Sequence, residues 1–281
     1  PEGFLDSAKD FLLDRLDDAL EPIARVVTGK LQWDEMKENA LLATRSQQGG
    51  ARLVLQHVAK LAETYKNKLE IHIIGHSAGS IFHAPLIQML TTQGEIKSGP
   101  MKGEQGLGLS IGSCTLWAPA CTVDLFKEAY LPAIKNQAIN RFAMFTLTDQ
   151  AEKDDHCGNI YNKSLLYLVS NAFESKQRIP LFRDGIPILG MQKFINEDKE
   201  LSKLFKSGQA DLVLAPNSNA AGSSNHSTCN SHGGFDDDNA TVNATLARIL
   251  NKIKGSSDFE FKKSASSLKD RRNSLQNQVA G

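Results

Sequence analysis

The chain has 281 residues, 41% of them hydrophobic and 23% charged, an ordinary globular make-up and too long for a disulfide mini-scaffold. Lys plus Arg equals Asp plus Glu at 32 each, so nothing in the overall charge argues for nucleic-acid binding, which rests on a basic surface. No apolar run approaches the roughly 18 residues of a membrane helix. Cysteines 114, 121, 157 and 229 form no CxxC pair and read as reduced thiols of a cytosolic-type protein, although four would also permit two disulfides. The chain opens on Pro1, so the lack of a signal peptide says little about compartment.

Apolar residues at three- and four-residue steps from Phe4 through Leu12, Leu16, Leu20, Ile23 and Val27 predict an amphipathic helix. A second helix is expected near Trp33 to Ala43. A third follows Gly49-Gly50, with Ala51, Leu55, Val58, Leu61 and Tyr65 on its apolar face. Leu69 to Ile74 (LEIHII) reads as a strand. Helix resumes after Ser77 to about Thr92, where Pro85 implies a kink or a late start. Gly94 to Gly108 reads as a loop. Ser113 to Ala118 and Arg141 to Thr148 are expected strands on either side of a helix over Thr122 to Lys135. A helix over Tyr161 to Glu174, a strand over Ala210 to Ala215, a small-residue loop and a helix from Asp238 to Ile253 complete the pattern. Strands that alternate with helices predict an α/β fold with a mostly parallel sheet, because parallel pairing needs crossover connections. The domain is expected over 1–254, with a helical part at 1–65 and the main body at 69–253. From Gly255 onward, Ser, Lys, Arg, Asn and Gln dominate and read as a polar, flexible tail.

The chemistry concentrates at Gly75-His76-Ser77-Ala78-Gly79, a G-x-S-x-G pattern. By itself the pattern is common. Here it directly follows an apolar strand and opens a helix, the setting in which a sharp turn lifts a serine hydroxyl clear of the sheet. Such a turn is expected to require Gly75 and Gly79, because a Cβ at either position would collide with the neighbouring strand or helix. It also places the Ala78 N–H at a helix N-terminus, where an oxyanion can be received. The bland alternative is a glycine-flanked turn with a helix-capping serine.

With these residues the chain resembles the α/β-hydrolase superfamily, on its esterase and lipase side. The resemblance covers roughly residues 69 to 253 and implies a Ser, acid, His order along the chain. It implies Ser77 as nucleophile. It implies His232, in Ser231-His-Gly-Gly-Phe235 before the last helix, as general base, with His226 as competitor. For the acid it implies Asp149, directly after the third strand; Asp154 comes next, and Asp155 lies in the same loop. His76 is expected to shape the pocket. The implied reaction is cleavage of an ester-like bond in a small-molecule acyl substrate through an acyl-enzyme, without cofactor or metal. Members of the family carry strands and a His-Gly-rich loop before the nucleophile strand. Here residues 1 to 65 read as helix, which suggests a missing upstream segment or a departure from the family.

Two other classes compete. His226, Cys229 and His232 have H-x2-C-x2-H spacing, and their imidazole and thiolate chemistry suits zinc. A non-catalytic binding module on the same scaffold is the other, since a fold does not dictate a function. The sequence leaves the substrate's acyl and leaving groups and the oligomeric state open.

Overall fold

The computed structural model describes residues 16–157, 161–180 and 182–250. The start of the expected first helix, from Phe4 to Leu12, and the tail from Gly255 lie outside the described residues.

Four strands form one wholly parallel sheet in the order β1-β4-β5-β6: β1 (His72–His76), β4 (Ser113–Trp117), β5 (Phe142–Leu147) and β6 (Asp211–Ala215). The two central strands are buried at every residue, while β1 and β6 expose part of theirs. This is the pattern of a parallel sheet covered on both faces, and it explains why the central strands read as unbroken apolar runs. A mostly parallel sheet flanked by helices places the chain in the α/β class.

Register corrects the first strand. Its pairing runs from His72 opposite Ser113 to His76 opposite Trp117, two residues beyond the expected end at Ile74. The ladder therefore carries Gly75 and His76 to the sheet's carboxyl edge and leaves Ser77 as the first residue past it. An antiparallel hairpin of β2 (Gln93–Glu95) and β3 (Gln105–Leu107) occupies the stretch expected to be loop.

Ahead of β1, every element among the described residues is helical. Residues 16–24 form α1, a π-helical turn follows at Arg25–Gly29, and α2 (Lys30–Arg45) continues without a break, so the two expected helices are one. Gly29 stays in the right-handed helical region, and a Cβ there would lie 2.4 Å from the Phe173 ring. The helix thus passes close to that ring at Gly29. Polar contacts also anchor α1. Asp17 accepts the Asn162 N–H at 3.0 Å, and Glu21 accepts the Tyr161 hydroxyl and the Asn171 amide, each at 2.8 Å.

The crossovers supply the remaining helices. After α3 (Gly50–Tyr65), α4 (Gly79–Thr91) joins β1 to the hairpin and continues through the buried Pro85 rather than starting after it. The expected helix from Thr122 to Lys135 is two, α5 (Val123–Ala129) and α6 (Leu131–Lys135), divided at Tyr130 ahead of Pro132. Past β5 come α7 (Asp149–Asp154), α8 (Leu165–Leu168) with a π turn at Val169–Phe173, α9 (Gln192–Glu197) and α10 (Lys199–Lys206). The last helix, α11 (Asn239–Ile249), packs on β4, where the Trp117 indole donates to Thr245 Oγ1 at 3.1 Å. Leu116, Met144, Phe145, Ile87 and Phe126 are fully buried at the centre of the core. Among the described residues, no helix is long and apolar enough to cross a membrane.

Candidate active site

Because all four strands are parallel, the turns that leave them gather along one edge of the sheet, where open α/β folds place their ligands. Ser77 sits there with φ of +50°, a left-handed conformation that costs a non-glycine residue about 1–3 kcal/mol. Hydrogen bonds hold it in place. Its N–H donates to the Trp117 carbonyl at 2.9 Å, and its carbonyl accepts the Ala120 N–H at 3.0 Å and the Ser80 hydroxyl at 2.7 Å. With its backbone tied to β4 and α4, the half-buried side chain stands at the N-terminus of α4, beside the Ala78 N–H.

The two glycines differ. A Cβ on Gly75 would lie 2.8 Å from the His83 ring and 3.2 Å from the Gly79 carbonyl carbon, so close packing requires that glycine. A Cβ on Gly79 would meet nothing within 4 Å. The expected clash at Gly79 is absent.

His232 opens a short 3-10 turn, His232–Gly234, in the loop between β6 and α11. Its Nε2 lies 2.9 Å from Ser77 Oγ, joining residues 155 positions apart. The loop is anchored by Asp238, which caps α11 through the Thr241 N–H at 3.0 Å and takes the Thr228 N–H, also at 3.0 Å. Burial acts to raise the Asp238 pKa, but the donors from Thr228 and Thr241 outweigh it and hold the carboxyl below its ordinary value. It remains an anion fixed at the helix N-terminus, where the dipole favours it.

Ser77 and His232 come together; Asp149 does not join them. As the first residue of α7, Asp149 accepts the Tyr167 hydroxyl at 2.7 Å and pairs with Lys153 at 2.6 Å. Asp154, at the other end of α7, accepts the Gln150 amide at 2.9 Å. The carboxylate at His232 is Asp155, whose Oδ2 accepts the His232 backbone N–H at 2.8 Å while Oδ1 accepts the His156 N–H at 2.9 Å. The sequence placed Asp155 in the right loop. The short helix α7, which decides the direction of each aspartate, carried no separate signal.

His232 is almost wholly buried. Burial, reinforced by the neighbouring His76, pushes its pKa down to about 3, so the ring is neutral at physiological pH. For Nε2 to accept the Ser77 hydroxyl, the ring proton must sit on Nδ1, and Nδ1 is buried without a hydrogen-bond partner. Buried donors are normally satisfied, so this nitrogen calls for an acceptor. His76 Nε2 lies 2.9 Å from the His232 carbonyl, and the two imidazoles are 5.6 Å apart.

The competing residues go elsewhere. His226 is half-buried and its N–H donates to the Ser223 carbonyl. Burial raises the Cys229 thiol to about 12, and its Sγ donates to the Ser231 carbonyl at 3.2 Å. Among the described residues, no three His, Cys, Asp or Glu side chains converge as metal ligands. The H-x2-C-x2-H spacing is thus not gathered into a metal centre.

What fold and site define together is an α/β protein with a serine and a neutral histidine in contact at the carboxyl edge of a parallel sheet. Compared with protein-family models, curated proteins and solved structures, the chain matches none of them.

Proposed function

We propose that this chain is a serine hydrolase of α/β-hydrolase type that cleaves an ester-like acyl bond through Ser77, His232 and Asp155. The observation that carries the reading is the 2.9 Å contact between Ser77 Oγ and His232 Nε2, made by a serine held at positive φ. A capping serine in an ordinary turn needs neither feature.

In this reading His232 takes the Ser77 proton as the hydroxyl oxygen attacks the acyl carbonyl. A free hydroxyl is a poor nucleophile at neutral pH, so the base is required. The carbonyl oxygen becomes an oxyanion facing the Ala78 N–H at the start of α4. Collapse of the tetrahedral intermediate breaks the ester bond, and the imidazolium hands its proton to the departing alcohol. Water then attacks the acyl-enzyme by the same path and frees Ser77. An imidazolium this deeply buried needs a counter-charge, and Asp155 is already bonded to the same residue. A rotation of its carboxylate toward Nδ1 would supply the acceptor that nitrogen lacks; such bonds often tighten only when substrate is present. Asp155 therefore replaces Asp149 as the proposed acid.

The test is intact-mass analysis after treatment with a fluorophosphonate, on the wild type and on Ser77→Ala. One adduct on the wild type and none on the variant is the expected result. An unlabelled, folded wild type would refute the hydrolase reading.

A further inference from the structure

We propose that His76 is a positioning residue: it latches the histidine loop to the nucleophile turn and so keeps the His232 imidazole on Ser77. The inference rests on the Ser77–His232 pairing described above and adds a role that the pairing does not require.

A carbonyl oxygen only accepts, so the 2.9 Å contact from His76 Nε2 to the His232 carbonyl is an N–H donated by His76. The His232 backbone is then held on both sides. Asp155 takes its N–H at 2.8 Å and His76 gives to its C=O, while the side chain between them reaches Ser77. His76 and Ser77 are consecutive, so the latch references the base directly to the backbone of the nucleophile. Each of the other anchors works from further away. Asp155 comes from beyond β5, and Asp238 grips the loop at Thr228, four residues before His232.

The His76 ring is itself immobilised. It meets Trp117 edge-on at 6.4 Å and Phe235 edge-on at 6.2 Å. Phe235 is fully buried immediately after the 3-10 turn, so packing and hydrogen bond both tie this ring to the same piece of loop. Gly233 and Gly234 follow His232, and a Cβ on Gly233 would meet nothing within 4 Å. Without the His76 bond, the turn can pivot on the Asp155 contact. A displacement of about 1 Å at a reacting group costs on the order of 100-fold in rate.

Three variants separate the hydrogen bond from the packing. His76→Phe keeps an aromatic ring against Trp117 and Phe235 and removes the donor. His76→Gln places an amide N–H near the position of Nε2, and His76→Asn is too short to reach. Steady-state hydrolysis of p-nitrophenyl acetate and butyrate gives kcat and KM separately, and thermal unfolding checks each fold. The latch predicts that Phe and Asn lower kcat by about 100-fold with KM within about twofold, and that Gln recovers most of the loss. A merely structural ring predicts the reverse order, with Phe best. Unchanged kcat in both Phe and Asn, or equal losses in all three, would overturn the proposal.

Nitrogen-15 NMR of the histidine side chains gives a readout that needs no turnover. In the wild type the His76 Nε2 proton should be present and protected from exchange. A His76 ring without that proton refutes the latch whatever the enzyme does. A protected proton in a protein that takes no fluorophosphonate refutes the hydrolase reading and leaves the latch standing.

Discussion

The deepest carboxyl beside the site sets a pH dependence of stability that can be worked out in advance. Glu152, on α7, is 1% exposed, and its Oε2 accepts the Ser164 hydroxyl while Oε1 has no partner. Burial raises its pKa from 4.5 to about 8, and the negative charges of Asp155 and Asp149 push in the same direction against the Ser164 bond. The folded chain thus keeps a proton on Glu152 at neutral pH, whereas the unfolded chain loses it above pH 4.5. The native state binds more protons between pH 4.5 and 8, so stability falls with rising pH across that window. His232 acts oppositely. With its pKa lowered from 6.5 to about 3, the unfolded state binds more protons in that range, and stability rises with pH up to 6.5. The two slopes oppose each other between pH 4.5 and 6.5, where the lowered pKa of the buried His83 adds to the rise. From pH 6.5 to 8 the Glu152 contribution alone should cost the wild type about 2 kcal/mol at 1.36 kcal/mol per unit. Urea denaturation at half-unit pH steps, on the wild type and on Glu152→Gln, isolates the term. The expected difference between the two curves is level below pH 4.5 and shifts in favour of the variant by about 2 kcal/mol from pH 6.5 to 8. Parallel curves over that last interval would show that Glu152 does not hold its proton and would refute the assignment.

Other substitutions probe the site directly. Asp155→Asn should lower kcat by about 1,000- to 10,000-fold by leaving the imidazolium without a counter-charge, whereas Asp149→Asn should stay within a few-fold; equal losses would return the acid to question. Gly75→Ala should destabilise the fold by about 1–3 kcal/mol, because the added Cβ meets the His83 ring and the backbone of Gly79. Gly79→Ala should be neutral or stabilising by about 0.5–1 kcal/mol in thermal unfolding, as it fills open space on a helix. Asp238→Ala removes the α11 cap and should cost about 1–2 kcal/mol by chemical denaturation, and a matching fall in kcat would show that the cap also positions the histidine loop.

Short-range chemistry was legible in the sequence because a local cause produces it. Gly75 to Gly79 is a turn pattern recognisable within five residues, and His232 stands out beside two glycines and ahead of a capped helix. The central strands Ser113–Trp117 and Phe142–Leu147 announced themselves as apolar runs because both faces of a parallel sheet are covered. The helices expected up to Val27 and near Trp33 to Ala43 are one, because the chain stays helical through Gly29, where the Phe173 ring occupies the space a side chain would fill.

Which aspartate stands at His232 was decided only by the tertiary structure. Asp149, Asp154 and Asp155 lie within seven positions and are chemically equivalent as a string. Folding α7 between them sets Asp149 and Asp155 about 9 Å apart along the helix axis and roughly a third of a turn apart around it. Tyr167 and Lys153 then claim Asp149, and the His232 N–H claims Asp155. Residue types and local spacing single out Ser77 and His232. Which carboxylate meets them depends on helix rotation and on partners 18 and 77 residues away in the chain, and those distances close only in the folded state.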